Sequence, residues 1–215
     1  MLSFIEVLQG ILHIDRSLLA LHASYGGLLY AILFLIIFCE TGLVVTPFLP
    51  GDSLLFAAGA LAALGALNVW ALLIGVAIAA ILGDSLNYTL GRKLGKHVQT
   101  SNQLFGIRLN PAHLKKAEAF FQHHGHRAIL LARFAPIIRT FVPFFAGMSN
   151  MPKTTFLKYN VIGGLLWVCL FVLSGYFFGN LPIVKERFSL VIVAIVIISL
   201  IPIAKEYFTK DRRPS

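Results

Sequence analysis

Apolar residues fall in long runs, and the polar positions between them are few and grouped. Residues 2–14 set Leu2, Ile5, Leu8 and Leu12 at helical spacing, a stretch too short for the roughly 30 Å of a bilayer's hydrocarbon. They predict an amphipathic helix, on the membrane surface or packed on the bundle. Runs at 28–45, 68–90 and 154–178, and a shorter one at 188–204, predict transmembrane helices. Two further apolar segments, 44–64 and 128–148, cannot be regular spans. Pro47, Pro50 and Gly51 interrupt the first, and Pro136 and Pro143 the second. Proline removes a backbone donor and clashes with the preceding turn, so both segments predict bent helical hairpins.

The long polar segment, 92–127, sets the orientation. It carries Arg92, Lys93, Lys96, Arg108, Lys115, Lys116 and Arg127 against one acid, Glu118. Such a basic excess marks the cytoplasmic side. Within it, Asn110-Pro111 predicts a helix start, with Ala117, Phe120 and Phe121 on an apolar face and an end near Gly125. If 128–148 crossed the membrane, Lys153, Lys158 and the basic tail would lie outside. If it dips in and returns, all three basic regions are cytoplasmic. The second arrangement obeys the positive-inside rule throughout. Applied to 44–64, the same logic makes that hairpin enter from the opposite face. Each half then reads as a hairpin followed by a span ending in Gly-x-x-x-Gly, Gly91/Gly95 and Gly175/Gly179. Inverted repeats with broken helices are a transporter signature.

The expected fold is therefore an all-α polytopic membrane protein. It is an inverted repeat with two re-entrant helical hairpins, transmembrane helices and amphipathic surface helices. Its parts are an N-terminal amphipathic segment (1–24), a first repeat (25–95), a basic cytoplasmic segment (96–126), a second repeat (127–180), a last transmembrane helix (188–204) and a basic tail (205–215).

Composition agrees with the pattern. Of 215 residues, 58% are hydrophobic and 13% charged, against about 25% charged in soluble domains; mean hydropathy is +0.82. These values exclude a soluble enzyme, a disordered chain and a disulfide scaffold. The net charge of +9 reads as a topology signal rather than a nucleic-acid footprint. Cys39 and Cys169 lie in apolar runs, where packed thiols are expected rather than a disulfide. Glu6, Asp15 and a lone Arg16 precede the first long run, so no cleavable signal peptide is expected.

Charges inside the apolar segments carry the chemistry. Each costs roughly 2.5–3.5 kcal/mol near the bilayer centre. Glu40, Asp52, Arg133 and Arg139 lie in or beside the hairpins; Asp84 lies nearer an interface, where water could reach it. Arginine stays charged and presents a planar fork to phosphate or carboxylate. Arg133 and Arg139 are therefore expected to bind one anionic headgroup. Burial raises a carboxyl's pKa toward neutrality, which makes Glu40 and Asp52 candidates for proton coupling. Pairing of acids and arginines merely to hold the hairpins together is the bland alternative. Asp84, Asn87, Tyr88 and Asn160 could line a cavity, although interhelical hydrogen bonds explain the amides and the tyrosine equally well. His123, His124 and His126 lack a matching set of ligands and read as a solvated turn. Trp70 and Trp167 read as packing or interface anchors. No cofactor, metal or catalytic residue is expected. An apolar hairpin-lined cavity suits a lipid-like tail.

The residues F38-C-E-T-G42, P47-F-L-P-G-D-S53, G83-D84, A132-R-F-A-P-I-I-R-T-F-V-P143 and A146-G-M148 resemble the DedA family of bacterial inner-membrane proteins, relatives of the VTT-domain lipid scramblases. The resemblance covers roughly residues 15–205. It implies transport of undecaprenyl phosphate across the inner membrane, dependence on proton motive force, and paired re-entrant hairpins. It also places the family's essential acids on Glu40 and Asp52 and its essential arginines on Arg133 and Arg139. The expected partners are membrane lipid, a polyprenyl phosphate and protons, with a homodimer allowed and no nucleic acid. The competing functions are a proton-coupled antiporter of small cations or drugs, a broad phospholipid scramblase, a lipid phosphatase and a structural scaffold. The phosphatase lacks a nucleophile with acid–base partners near the arginines, and no enzyme activity is expected.

Overall fold

The computed structural model describes residues 14–43, 51–101, 103–104, 107–108, 111–182 and 184. The expected surface helix at 2–14 lies almost wholly outside them. So do residues 44–50 of the first hairpin, the last span at 188–204 and the basic tail.

The described residues are overwhelmingly helical. Helix α1 is Ile14–Gly42, α2 Gly51–Ala63, α3 Val69–Ser101, α4 Pro111–His124, α5 Ala128–Ala132, α6 Pro136–Met148 and α7 Lys153–Gly179. A two-residue antiparallel ribbon, Gln103–Leu104 (β1) with Ile107–Arg108 (β2), joins α3 to α4. The expected break between a surface segment ending at 24 and a first span is absent, because α1 runs unbroken from Ile14.

Local chemistry sets the boundaries. After α2, Gly65 takes a positive φ of 81°. The Ala66 and Gly65 amides then return to the Leu61 and Ala62 carbonyls, a glycine-terminated helix end. Asn68 caps α3, its Oδ1 accepting from the Trp70 and Ala71 amides at 3.0 Å each. Pro111 opens α4 as the sequence predicts. The break in segment 128–148 falls at Arg133–Ala135. Ala135 is extended (φ −118°, ψ 100°) ahead of Pro136 at the start of α6, as expected for a residue preceding proline. Pro143 is accommodated inside α6.

Helices α3 and α7 contain apolar stretches, Val69–Gly95 and Lys153–Gly179, long enough to cross a membrane. On α3, Trp70, Ile74, Ile78, Leu82 and Leu86 are exposed at four-residue intervals, and Ile162, Leu166, Leu170 and Phe177 are exposed on α7. Outward apolar stripes on long helices suit lipid rather than water.

The chain divides into two compact units. Among the described residues, the first holds those up to 31, 51–73 and those from 170 onward; the second holds those in 32–43 and 74–169. Each unit therefore draws on both halves of the sequence. In the first, α2 crosses the end of α7: a Cβ on Gly59 would meet the Val172 carbonyl, one on Gly175 the Phe56 carbonyl, and one on Gly179 Ala60. In the second, α6 crosses α3: a Cβ on Gly147 would meet the Tyr88 carbonyl, one on Gly91 the Phe144 carbonyl, and one on Gly95 Met148. The core of the second unit gathers Tyr88, Phe141, Phe144, Phe145 and Phe156, with Phe120 and Phe121 of α4 packed against it.

Candidate functional site

Three elements of the second unit carry the charges. The end of α1 supplies Glu40 and Thr41, α3 supplies Asp84, and the segment from α5 into α6 supplies Arg133 and Arg139. The break at Ala135 separates the arginines, leaving Arg133 at the end of one short helix and Arg139 in the first turn of the next. Glycine brings the acids close: a Cβ on Gly83 would collide with the Thr41 hydroxyl, and one on Gly42 would lie 3.3 Å from the Gly83 Cα. α1 and α3 therefore meet at the positions flanking Glu40 and Asp84.

Two buried ion pairs result. Arg139 Nη2 donates to Glu40 Oε1. Arg133 Nη2 donates to Asp84 Oδ2 at 2.6 Å and to Asn160 Oδ1 at 2.6 Å. All four ionised side chains are at least nine-tenths buried. Asp84 is thus buried and paired, not hydrated near an interface as its sequence position suggests. Burying a charge is tolerable only with a partner and hydrogen bonds in place. Asn160 supplies part of that support, since its Nδ2 donates to the Ile81 carbonyl at 3.0 Å and to Ser85 Oγ at 3.3 Å.

Asn87 ties the frame together. Its Nδ2 donates to the carbonyls of Thr41 (3.1 Å) and Thr140 (2.7 Å), the residues next to Glu40 and Arg139. Tyr88 donates to the Met151 carbonyl at 2.5 Å and stacks on Phe156. Asn87 Nδ2 thus joins α3 to α1 and α6, while Asn87 Oδ1 is buried without a hydrogen bond and Tyr88 holds the loop between α6 and α7.

Thr41, Asp84, Arg133, Arg139 and Trp167 line a small cavity with room for about one water molecule. Trp167 is 1% exposed. The Arg139 and Arg133 guanidinium carbons lie 5.1 Å and 6.0 Å from its ring centre, within cation–π range. Sequence reading assigned Trp167 to packing or interface anchoring, because nothing local to α7 reveals two arginines about 30 residues away. Asp52 lies in the other unit, half-buried in the first turn of α2, where a negative charge suits the helix N-terminus. Nothing joins Cys39 to Cys169 as a disulfide. The His124 ring bonds the Phe120 carbonyl at 3.0 Å, closing the last turn of α4.

In chemical terms two forked cations line the cavity, each engaged by an internal carboxylate. Arg133 Nε is buried and makes no hydrogen bond. No group in the lining is arranged as a nucleophile with a base.

Comparison with known proteins adds lineage. The VTT domain family model matches residues 49–177. The chain is 53% identical over 196 residues to Protein DedA of Escherichia coli (strain K12), covering 89% of this chain and 88% of that protein. It is 41% identical over 168 residues to an uncharacterized membrane protein of Mycobacterium leprae (strain TN), covering 78% and 74%. It is 38% identical over 179 residues to the inner membrane protein YqjA of Escherichia coli (strain K12), covering 83% and 80%. No solved structure matches.

Proposed function

The chain belongs to the VTT-domain family, as a DedA-type protein of the bacterial inner membrane, and from that premise we propose that it carries an anionic polyprenyl lipid, undecaprenyl phosphate, across that membrane with proton coupling. The observation that carries the proposal is the convergence of Arg133 and Arg139 on one buried cavity. Two forks lining one cavity suit the several oxygens of a single phosphate, and the apolar surroundings suit a prenyl tail. The chain length of the lipid comes from the family resemblance alone.

Glu40 and Asp84 pair with the arginines. A phosphate entering the site must displace a carboxylate. Protonating that carboxyl weakens its hold on the guanidinium, so proton uptake and lipid binding favour each other. Glu40 is the proton-coupling residue at the site in this reading, and Asp52 serves the other hairpin. A small-cation antiporter is less well supported, because both acids near the cavity already face arginines.

Segments 44–64 and 128–148 are, on this proposal, re-entrant hairpins of an inverted repeat. The break at Arg133–Ala135 supports it. So do the matching glycine crossings of α2 on α7 and α6 on α3, and the basic residues that flank 128–148.

The test is reconstitution into liposomes with an assay of lipid-phosphate orientation, with and without a pH gradient. Translocation of undecaprenyl phosphate is expected, faster with the gradient and lost in Arg139→Ala protein that still inserts. Equal movement of undecaprenyl phosphate and zwitterionic phospholipid would instead identify a broad scramblase. A wild-type rate from Arg139→Ala would end the headgroup assignment.

A further inference from the structure

We infer that Trp167 is a positioning residue for the lipid-phosphate site, gripping both guanidinium groups through its ring so that their N–H edges stay available to the ligand; this rests on the reading of the site given above.

One face of α7 is cut to receive the arginines. Asn160, Gly164 and Trp167 recur at helical spacing and share a face. Asn160 accepts from Arg133 Nη2. A Cβ on Gly164 would lie 3.4 Å from that same nitrogen, and one on neighbouring Gly163 3.2 Å from Arg133 Cδ. The two glycines thus leave room for the Arg133 side chain to lie along α7. Trp167 closes the slot, 6.0 Å from Arg133 and 5.1 Å from Arg139. Among the described residues it heads the largest fully buried side chains, so neither cation–π contact is diluted by water.

The manner of contact matters. A carboxylate holds a guanidinium by its N–H edge, the same edge a phosphate needs. Glu40 and Asp84 therefore compete with the ligand. An aromatic ring attracts the cation electrostatically without accepting those N–H groups. The Trp167 contact can persist while carboxylate is exchanged for phosphate, and it offsets part of the repulsion between two cations brought together in a low-dielectric site. Leucine at this position would fill space and do neither. The grip also makes each position specific for a flat cation, so lysine in place of Arg139 forfeits the ring as well as the fork.

The experiment exploits the chain's tryptophan content. There are two tryptophans, and Trp70 is 70% exposed. A Trp70→Phe protein therefore reports on Trp167 alone. In detergent it is titrated with farnesyl phosphate, with farnesol and with inorganic phosphate. A saturable change in Trp167 emission with farnesyl phosphate, absent with farnesol, is expected, and no change overturns the inference. The same measurement after Arg139→Ala should lose the response.

Translocation in liposomes is then compared across Trp167 variants. Trp167→Leu should slow it by about tenfold or more, the size expected when desolvated cation–π contacts are removed. Trp167→Phe, which keeps a ring, should recover most of that loss. If Arg139→Ala abolishes translocation while Trp167→Leu matches the parent, Trp167 only packs and the lipid-phosphate reading stands. If Arg139→Ala itself matches the parent, the lipid-phosphate reading fails and this inference falls with it.

Discussion

The crossing of α2 on α7 and the crossing of α6 on α3 are built from matched parts. Phe56, Gly59 and Ala60 of α2 meet Gly175, Val172 and Gly179 of α7; Phe144, Gly147 and Met148 of α6 meet Gly91, Tyr88 and Gly95 of α3. In both, a single glycine on the short helix lets it lie on the backbone of the long one, and two glycines on the long helix return the favour. The chemistry upstream is different. Eight residues before the crossing glycine stands Gly51 in α2 and Arg139 in α6, and the following positions hold Asp52 and Thr140. Glycines settle how closely the backbones approach. The charged positions lie two turns away, so they can diverge without disturbing the contact. One crossing carries the arginine and its acid; the other presents an acid on its first turn.

The largest expected effect tests the chemical half of this contrast. Arg139→Lys should reduce lipid-phosphate translocation in liposomes by about a hundredfold, since the fork and the ring contact are both lost, while insertion is unchanged. A rate near wild type would mean that a point charge suffices. The steric half comes next. Gly59→Leu and Gly147→Leu each force a side chain into opposing backbone, and each should cost about 3 kcal/mol or more, read as loss of monodisperse protein and a lower Tm in detergent. If only one of the pair suffers, the crossings are not equivalent.

The next test concerns the ion pair between Glu40 and Arg139. Glu40→Ala should destabilise by about 3–5 kcal/mol because it strands Arg139. The double change Glu40→Ala/Arg139→Leu should recover part of that, and a thermal-stability cycle measures the coupling. A purely additive cycle would mean the pair is not an energetic unit. The smallest expected effect is Asn87→Ala, which leaves two buried carbonyls without their donor at a cost of about 1–3 kcal/mol. Its Tm shift should exceed that of an exposed alanine control such as Gln122→Ala, whose side chain sits on the surface of α4.

Much of this frame was legible from residues alone. Pro111 and Pro136 act on their own neighbours, so the start of α4 and the break ahead of α6 follow from local sterics. The span at 154–178 differs from α7 by one residue at each end. Arg133, Arg139 and Glu40 stood out because charge in an apolar run is costly wherever it folds. What escaped is non-local. Asp84 lies close to a span's end, where water could reach it, yet Arg133, distant in sequence, pairs with it at 2.6 Å. Trp167 read as packing or an interface anchor because a ring's partners are set by tertiary contact, not by periodicity. The Gly-x-x-x-Gly pairs were visible, but each serves a short helix, α6 or α2, from the other half of the chain, a pairing that spacing cannot encode.

That exchange bears on how the molecule is made. α2 leaves the ribosome well over a hundred residues before the Gly175–Gly179 seat exists. At about 5–20 residues per second, the wait is roughly ten seconds. During that interval a short, small-residue helix must sit in the insertion machinery or in lipid without its companion. Biogenesis should therefore be more sensitive to insertase supply and to translation pauses than the length of the chain suggests, and two co-expressed fragments split within the basic stretch should rescue one another where neither matures singly.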